Sequence, residues 1–289
     1  MDAVKTADFA SLFPERRFRR RAFLVTSIGA GFALALQPVS AQTITTDSNG
    51  LIAGPVKVPV KDGEMPAYRA MPDTFGPFAT ILVVHEAWAV HEHIQDICRR
   101  LAKLGYYAIA PDLFARYGDA AKMETAAIVQ NIFPKIIAAQ VDSDLDACVT
   151  FAKASGKANT EKLAIIGFCW GGKVVWQYAS YNRALKTGVA FYGDPATKLA
   201  SDASAPLEFA PDLAVAVLGF YGGKDQGIPA AAVEKLRTEL KEAGNPSQIV
   251  VYPDAGHAFL ADYRPSYDKA AAEDSWKKML AWLKYYGVE

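Results

Sequence analysis

A doubly wound, mostly parallel α/β sheet, three layers deep with helices on both faces, is what this 289-residue sequence predicts. Two observations carry it. Short, continuous apolar runs recur along the chain with amphipathic or loop stretches between them, the pattern of buried parallel strands joined by crossover helices. One of those runs, Leu163 to Ile166, breaks into Gly167-Phe168-Cys169-Trp170-Gly171-Gly172 before helix-forming residues resume at Lys173. That is a strand–turn–helix with small residues two places either side of a thiol.

The first 41 residues stand apart from this core. The basic patch from Arg16 to Arg21 precedes an apolar run, Ala22 to Leu36, and the small residues Val39-Ser40-Ala41. Basic, apolar and small-residue regions in this order make an export signal, with cleavage expected after Ala41. Arg20-Arg21-Ala22-Phe23-Leu24 resembles the twin-arginine pattern, so the partner expected for the leader is the bacterial Tat machinery and the expected destination is the periplasm. An apolar run of about 15 residues is short for a span of about 20, so no stable membrane span is expected after cleavage. Residues 42–289 are read as one domain.

Removing residues 1–41 takes away six basic and three acidic groups, leaving 25 basic and 28 acidic. A mildly acidic surface gives no reason to expect binding to nucleic acid or a membrane surface. Three cysteines is an odd count, so at least one is unpaired within the chain. Cys98 and Cys148 fall in helical stretches and read as small buried hydrophobes. A chain that folds before Tat export folds in a reducing compartment, which suits free thiols.

In chain order, Gln42 to Phe78 is rich in glycine, proline and short alternating runs, and is read as an edge hairpin with Asp62-Gly63 at its tip. Thr80 to His85 is the first core strand, the stretch His91 to Leu104 a helix, and Tyr106 to Ala110 the second strand, ending at Pro111-Asp112. Ala120 to Ala154 is helical with a break near Pro134, and leads into the Cys169 strand. Gly188–Tyr192, Val215–Tyr221 and Gln248–Tyr252 are the remaining core strands, and Tyr267–Tyr286 is a closing amphipathic helix.

Sites in such sheets lie at the carboxyl ends of strands. Gly-x-Cys-x-Gly has the spacing of the α/β-hydrolase nucleophile elbow, with cysteine in the usual serine position. The next strand-end residues of the right chemistry are Asp225, after Val215–Tyr221, and His257, after Gln248–Tyr252. Nucleophile, acid, histidine is the chain order of that fold's triad. His257 would take the Cys169 proton and Asp225 would orient the imidazole. The remaining histidines, His85, His91 and His93, cluster near one strand end, where surface or supporting roles are the plainer reading. Their surroundings match no zinc motif, no nucleotide-binding glycine loop is present, and no cofactor is expected.

With these residues in hand the chain resembles the dienelactone hydrolase (carboxymethylenebutenolidase) family. His85-Glu86-Ala87-Trp88, Pro111-Asp112-Leu113-Phe114-Ala115-Arg116 and Ala261-Asp262-Tyr263-Arg264-Pro265-Ser266-Tyr267 extend the likeness from about Leu51 to the C-terminus. The resemblance implies an α/β-hydrolase fold and a catalytic set of Cys169, His257 and Asp225. It implies that Glu86 touches the resting thiol and moves when substrate arrives. The backbone N–H groups of Ala87 and Trp170 would form the oxyanion hole, and Arg116 would bind a substrate carboxylate. The family's second carboxylate-binding arginine follows the catalytic histidine by four residues, where this chain has Ala261. Arg264 is near enough to substitute, and Trp88 is a further candidate for substrate contact. The expected activity is hydrolysis of small, anionic lactones or esters through an acyl-thioester. A broader carboxylesterase or thioesterase, and an exported binding protein without turnover, are the alternatives.

Overall fold

The computed structural model describes residues 44–289, so the leader, the Ala41–Gln42 boundary and its export reading lie outside the described residues. Eight strands form one sheet: β1 (Leu51–Val60), β2 (Gly63–Pro72), β3 (Phe78–Val84), β4 (Tyr107–Pro111), β5 (Ala158–Phe168), β6 (Thr187–Phe191), β7 (Val217–Gly222) and β8 (Gln248–Tyr252). Their spatial order is β1-β2-β4-β3-β5-β6-β7-β8. All neighbours from β4 to β8 pair in parallel, and β1 and β2 add an antiparallel edge.

Among the described residues seven α-helices accompany the sheet: α1 (Glu92–Lys103), α2 (Thr125–Asn131), α3 (Ala138–Ala154), α4 (Trp170–Tyr181), α5 (Pro206–Phe209), α6 (Ala230–Glu242) and α7 (Lys269–Tyr285). The period-two rule for strands explains how both faces become core. Ile81 and Val83 of β3, with Ala164 and Ile166 of β5, pack with Ile94, Ile97, Met279 and Leu283 of α1 and α7. Leu82 and Val84, with Leu163 and Ile165, turn the other way, onto Leu145, Val174 and Leu236 of α3, α4 and α6. A strand sandwiched like this is apolar at every position, which is why the runs are continuous in the sequence. Cys98 belongs to the first cluster and Cys148 to the second. Both are fully buried, on opposite faces of the sheet, and all three cysteines are free thiols.

Two details differ from the sequence reading. The hairpin turns on Lys61-Asp62, with Val60 paired to Gly63, so Gly63 opens β2 instead of sitting at the tip. The region from Ala120 to Ala154 resolves into 3₁₀ turns at Ala120–Lys122 and Phe133–Lys135 around α2, followed by α3. Pro134 supplies the break because it has no N–H to give and disfavours helix in the residue before it.

The sheet places the site. From β3 the chain moves outward to β4, then returns to pair β5 on the other side of β3. The crevice beyond the carboxyl ends of β3 and β5 is therefore the topological switch point, the expected ligand position in an open α/β sheet.

Candidate active site

Cys169 sits at that switch point, between β5 and α4, with φ 54° and ψ −113°. This is a strained conformation for a residue with a Cβ, one that costs of order 1–3 kcal/mol and persists where the surroundings impose it. They do so through close backbone approach. A Cβ on Gly167 would lie 2.2 Å from Gly171 O, and one on Gly171 would lie 2.5 Å from Val84 O. Cys169 N–H donates to Phe191 O at 3.0 Å, tying the turn to β6. The thiol is 5% exposed and stands at the N-terminus of α4, where the helix dipole favours negative charge.

His257 and Asp225 come from the loops after β8 and β7. Those loops are bound together by Gly223 N–H to Tyr252 O (2.7 Å) and Lys224 N–H to Ala255 O (2.9 Å). His257 Nδ1 lies 2.6 Å from Asp225 Oδ2, while Asp225 Oδ1 accepts from the N–H groups of Gly227 and Ile228. A carboxylate can only accept, so Nδ1 carries the proton and Nε2 is left to the cleft side. Nε2 is buried and has no hydrogen-bond partner. Burial opposes the charged imidazole, but the adjacent Cys169 and Asp225 outweigh it and push the His257 pKa up to about 10. Cys169, Trp170, Tyr192, Ile228 and His257 line a narrow cleft. A larger hollow of about 650 Å³ lies between Ile44 and α7, away from the thiol, and none of Cys169, Asp225 or His257 lines it.

Ala87 and Trp170 flank the thiol from the ends of β3 and the start of α4. Among the described residues no acceptor takes the backbone N–H of either. His85 braces this corner. Leu113 N–H donates to its Nε2 at 3.1 Å, so its Nδ1–H donates to Glu86 O at 2.6 Å. Burial depresses the His85 pKa to about 4, so the ring is neutral, and it stacks on Trp170 at 5.4 Å.

Glu86 is buried, but not on the thiol. Its Oε1 is 2.9 Å from His91 Nε2 and accepts from the Tyr263 hydroxyl. Burial pushes this carboxyl up, yet His91, Arg264 and His93 together hold it well below the usual range. Its Oε2 has no partner, and no hydrogen bond joins it to Cys169. The resting contact implied by the resemblance is therefore replaced by a clamp from two side chains. His91 and His93 are accordingly not surface groups. His93 pairs with buried Asp262 at 3.2 Å, and its side chain is 4% exposed. Among the described residues no group of three or more His, Cys, Asp or Glu is arranged to hold a metal ion.

Arg116 is likewise engaged elsewhere. Asp62 takes its Nε and Nη2 at 2.6 and 2.7 Å, and Asp144 its Nη1 and Nη2 at 2.5 and 3.0 Å. Both edges of the guanidinium fork are filled, so the carboxylate-binding role expected of Arg116 does not fit this arrangement. Arg264 lies 5.2 Å over the Trp88 ring, and its Nη1 is buried without a partner. Ala261 is fully buried in the apolar cluster of α1 and α7. Sequence reasoning missed the Glu86 clamp and Tyr192. The strand-end rule, applied to β6, points to Tyr192; nothing in the spacing of Glu86 and Tyr263 reveals their contact.

The sheet order and the switch-point elbow define an α/β-hydrolase fold. The chain belongs to the dienelactone hydrolase family, whose profile matches residues 65–287, and it is a hydrolase of that family. It is 54% identical to a Methylorubrum extorquens protein provisionally named carboxymethylenebutenolidase, over 98% of each chain. An Escherichia coli K12 protein of the same provisional name is 44% identical, over 91% of this chain and 98% of its own. Among solved structures, a Klebsiella pneumoniae protein provisionally named dienelactone hydrolase superposes with a TM-score of 0.77 at 44% identity, covering 81% of this chain and 98% of that one.

Proposed function

We propose that this chain hydrolyses small, anionic esters or lactones of the dienelactone type, with Cys169 as nucleophile, His257 as proton carrier and Asp225 as its orienting partner. The observation that carries the reading is the bridging of His257: its Nδ1 is held by Asp225 and its open Nε2 lies toward the cleft it shares with the thiol. The Cys169 thiolate attacks the ester carbonyl, and the tetrahedral oxyanion is received by the N–H groups of Ala87 and Trp170. Collapse breaks the ester C–O bond, and the departing oxygen takes its proton from His257. The thioester then has no charge on sulfur, so one of the two negative neighbours holding the imidazole protonated is gone. His257 can now take a proton from water, whose oxygen attacks the thioester and releases the carboxylic acid and the thiolate.

In this reading Arg264 receives the substrate carboxylate, which its unpartnered Nη1 and its stacking over the Trp88 ring support. With Arg116 occupied and Ala261 buried, a broader carboxylesterase or thioesterase is the second reading. We further propose that residues 1–41 direct Tat export to the periplasm. The test of the first reading is hydrolysis of a carboxylate-bearing dienelactone by the protein lacking residues 1–41, beside Cys169→Ala. Turnover lost in the variant is expected. Aryl esters cleaved through Cys169 without dienelactone turnover would select the second reading, and turnover retained by Cys169→Ala would defeat both.

A further inference from the structure

The loop that carries His257, Tyr263 and Arg264 holds a carboxylate for which the hydrolytic steps have no use. Asp262 is 1% exposed and stands two residues before Arg264. A buried carboxylate needs charged or hydrogen-bonding partners, and the guanidinium nearest to it along the chain is that of Arg264. The structure gives it other donors. Arg100 Nη2, from α1, donates to Asp262 Oδ2 at 2.5 Å, and Ile44 N–H donates to the same oxygen at 3.2 Å. His93 Nδ1, also from α1, lies 3.2 Å from Oδ1. Arg264 Nη1 is meanwhile left buried without a partner.

The hold on Asp262 is itself braced. Arg100 Nε donates to Asp96 Oδ2 at 2.5 Å, so one guanidinium forks between two buried carboxylates. Asp96 Oδ1 also accepts from Thr46 N–H at 2.6 Å and from Arg99 Nη2 at 3.2 Å, and Arg99 Nε donates to Thr46 O at 2.8 Å. Residues 44–46 are thereby laced to α1, and α1 to the His257 loop. Competition gives this arrangement a consequence for substrates. A carboxylate tethered two residues from Arg264 acts at high effective concentration, so an unheld Asp262 would contend with any dissolved anion for that guanidinium.

We propose that Arg100 and Asp262 are positioning residues for substrate selection: Arg100 holds the Asp262 carboxylate to α1 and so keeps the Arg264 guanidinium open to the carboxylate of the substrate. This rests on the reading of Arg264 as the group that receives that carboxylate. Neither positioning residue touches the substrate; each acts through Arg264.

Monophenyl succinate and its neutral methyl ester test it, since they differ in one carboxylate. Arg100→Met is expected to raise KM for monophenyl succinate by about tenfold, the effect of losing one charge-assisted hydrogen bond, with kcat and the KM of the neutral ester within about twofold of wild type. Adding Asp262→Asn to Arg100→Met removes the competing charge and is expected to restore most of the preference, whereas a merely structural role would make the double variant worse. Arg100→Lys keeps the charge but cannot fork between Asp96 and Asp262; it is expected to show a smaller rise, and it carries the test should Arg100→Met not fold. Alkylation of Cys169 by iodoacetate against iodoacetamide reads the same preference without turnover, because Cys98 and Cys148 are fully buried. Arg264→Met separates the two readings. A preference lost in Arg264→Met but unmoved in the Arg100 variants, or not restored by Asp262→Asn, would overturn the positioning and keep Arg264 as the receiver. A preference that survives Arg264→Met would remove that reading and the positioning with it.

Discussion

His91 Nε2 lies 2.9 Å from Glu86 Oε1, on the oxygen that also takes the Tyr263 hydroxyl, and together they hold a buried carboxylate off the thiol at the end of the neighbouring strand. The clamp joins the loop after β3 to the loop that follows His257. It stabilises the charged form of Glu86 against burial, which alone would neutralise it.

Tyr263→Phe is therefore expected to destabilise the protein at pH 7 by about 1–3 kcal/mol, the usual cost of leaving a buried polar group short of a donor. Glu86 has a depressed folded pKa, so its contribution is present above the ordinary glutamate value of 4.5 and fades as pH falls below it toward the folded value. Urea midpoints at pH 7 and pH 4 should both show the Tyr263→Phe penalty, because Glu86 stays ionised in the folded protein at either pH and its titration in the unfolded chain is common to both proteins. In a Glu86→Gln background most of the penalty should vanish at both pH values; a penalty that persists there would mean the hydroxyl serves some other neighbour.

The pH profile follows from His257. Its imidazolium is favoured by Cys169 and Asp225, so the free enzyme keeps the proton that the leaving group needs until pH rises through about 10. The alkaline limb of kcat/KM is expected near that value, far above the ordinary histidine value of 6.5. Asp225→Asn removes one of the negative neighbours and should move the limb to lower pH. The stability the charged histidine provides has the same sign. It is fully present below 6.5 and lost as pH rises through the folded value. A limb that stays put in Asp225→Asn would detach it from this pair.

How much of this was legible in the sequence depends on whether a feature is local. The core of β5 could be read because Leu163 to Ile166 is apolar on both faces. Its first half, Ala158–Lys162, is largely unburied, and its polar Asn159, Glu161 and Lys162 disguise a strand. Cys169, Asp225 and His257 could be read because each follows a strand and the fold brings strand ends together. The hold on Arg116 could not. Asp62 lies 54 residues before it and Asp144 lies 28 after it, on elements whose approach only the packed hairpin and α3 create.

That hold makes Arg116 a bridge from the β1–β2 turn to α3 and predicts a split between stability and catalysis. Asp144 is 2% exposed, and without Arg116 it keeps only the Gln140 amide at 3.1 Å among its side-chain partners. Arg116→Met should lower the thermal midpoint by several degrees, as a shift of about 1–2 kcal/mol does in a domain of this size. KM for anionic esters should change less than twofold. A KM rise of tenfold or more, with the midpoint unmoved, would return Arg116 to the substrate.

Gly171 offers the sharpest test of the elbow, because its constraint is a matter of space. A methyl group there would sit 2.5 Å from Val84 O and 2.6 Å from His85 O. Both atoms are backbone, and His85 is pinned by its bonds to Leu113 N–H and Glu86 O, so nothing flexible can yield. Gly171→Ala must then push α4 away from β3, and overpacking of this kind costs typically 1–3 kcal/mol and at times more. The displacement would act directly on the two N–H groups assigned to the oxyanion, one carried by each of the separating elements. Esterase activity should consequently fall by more than the folded fraction does, measured as kcat per titratable Cys169 in the surviving native protein. The exposed start of β2 gives the control: a Cβ on Gly63 meets nothing within 4 Å, although its φ of +144° favours glycine. Gly63→Ala should therefore lower stability without lowering kcat, and equal losses of kcat in the two variants would show that the elbow spacing does not govern the chemistry.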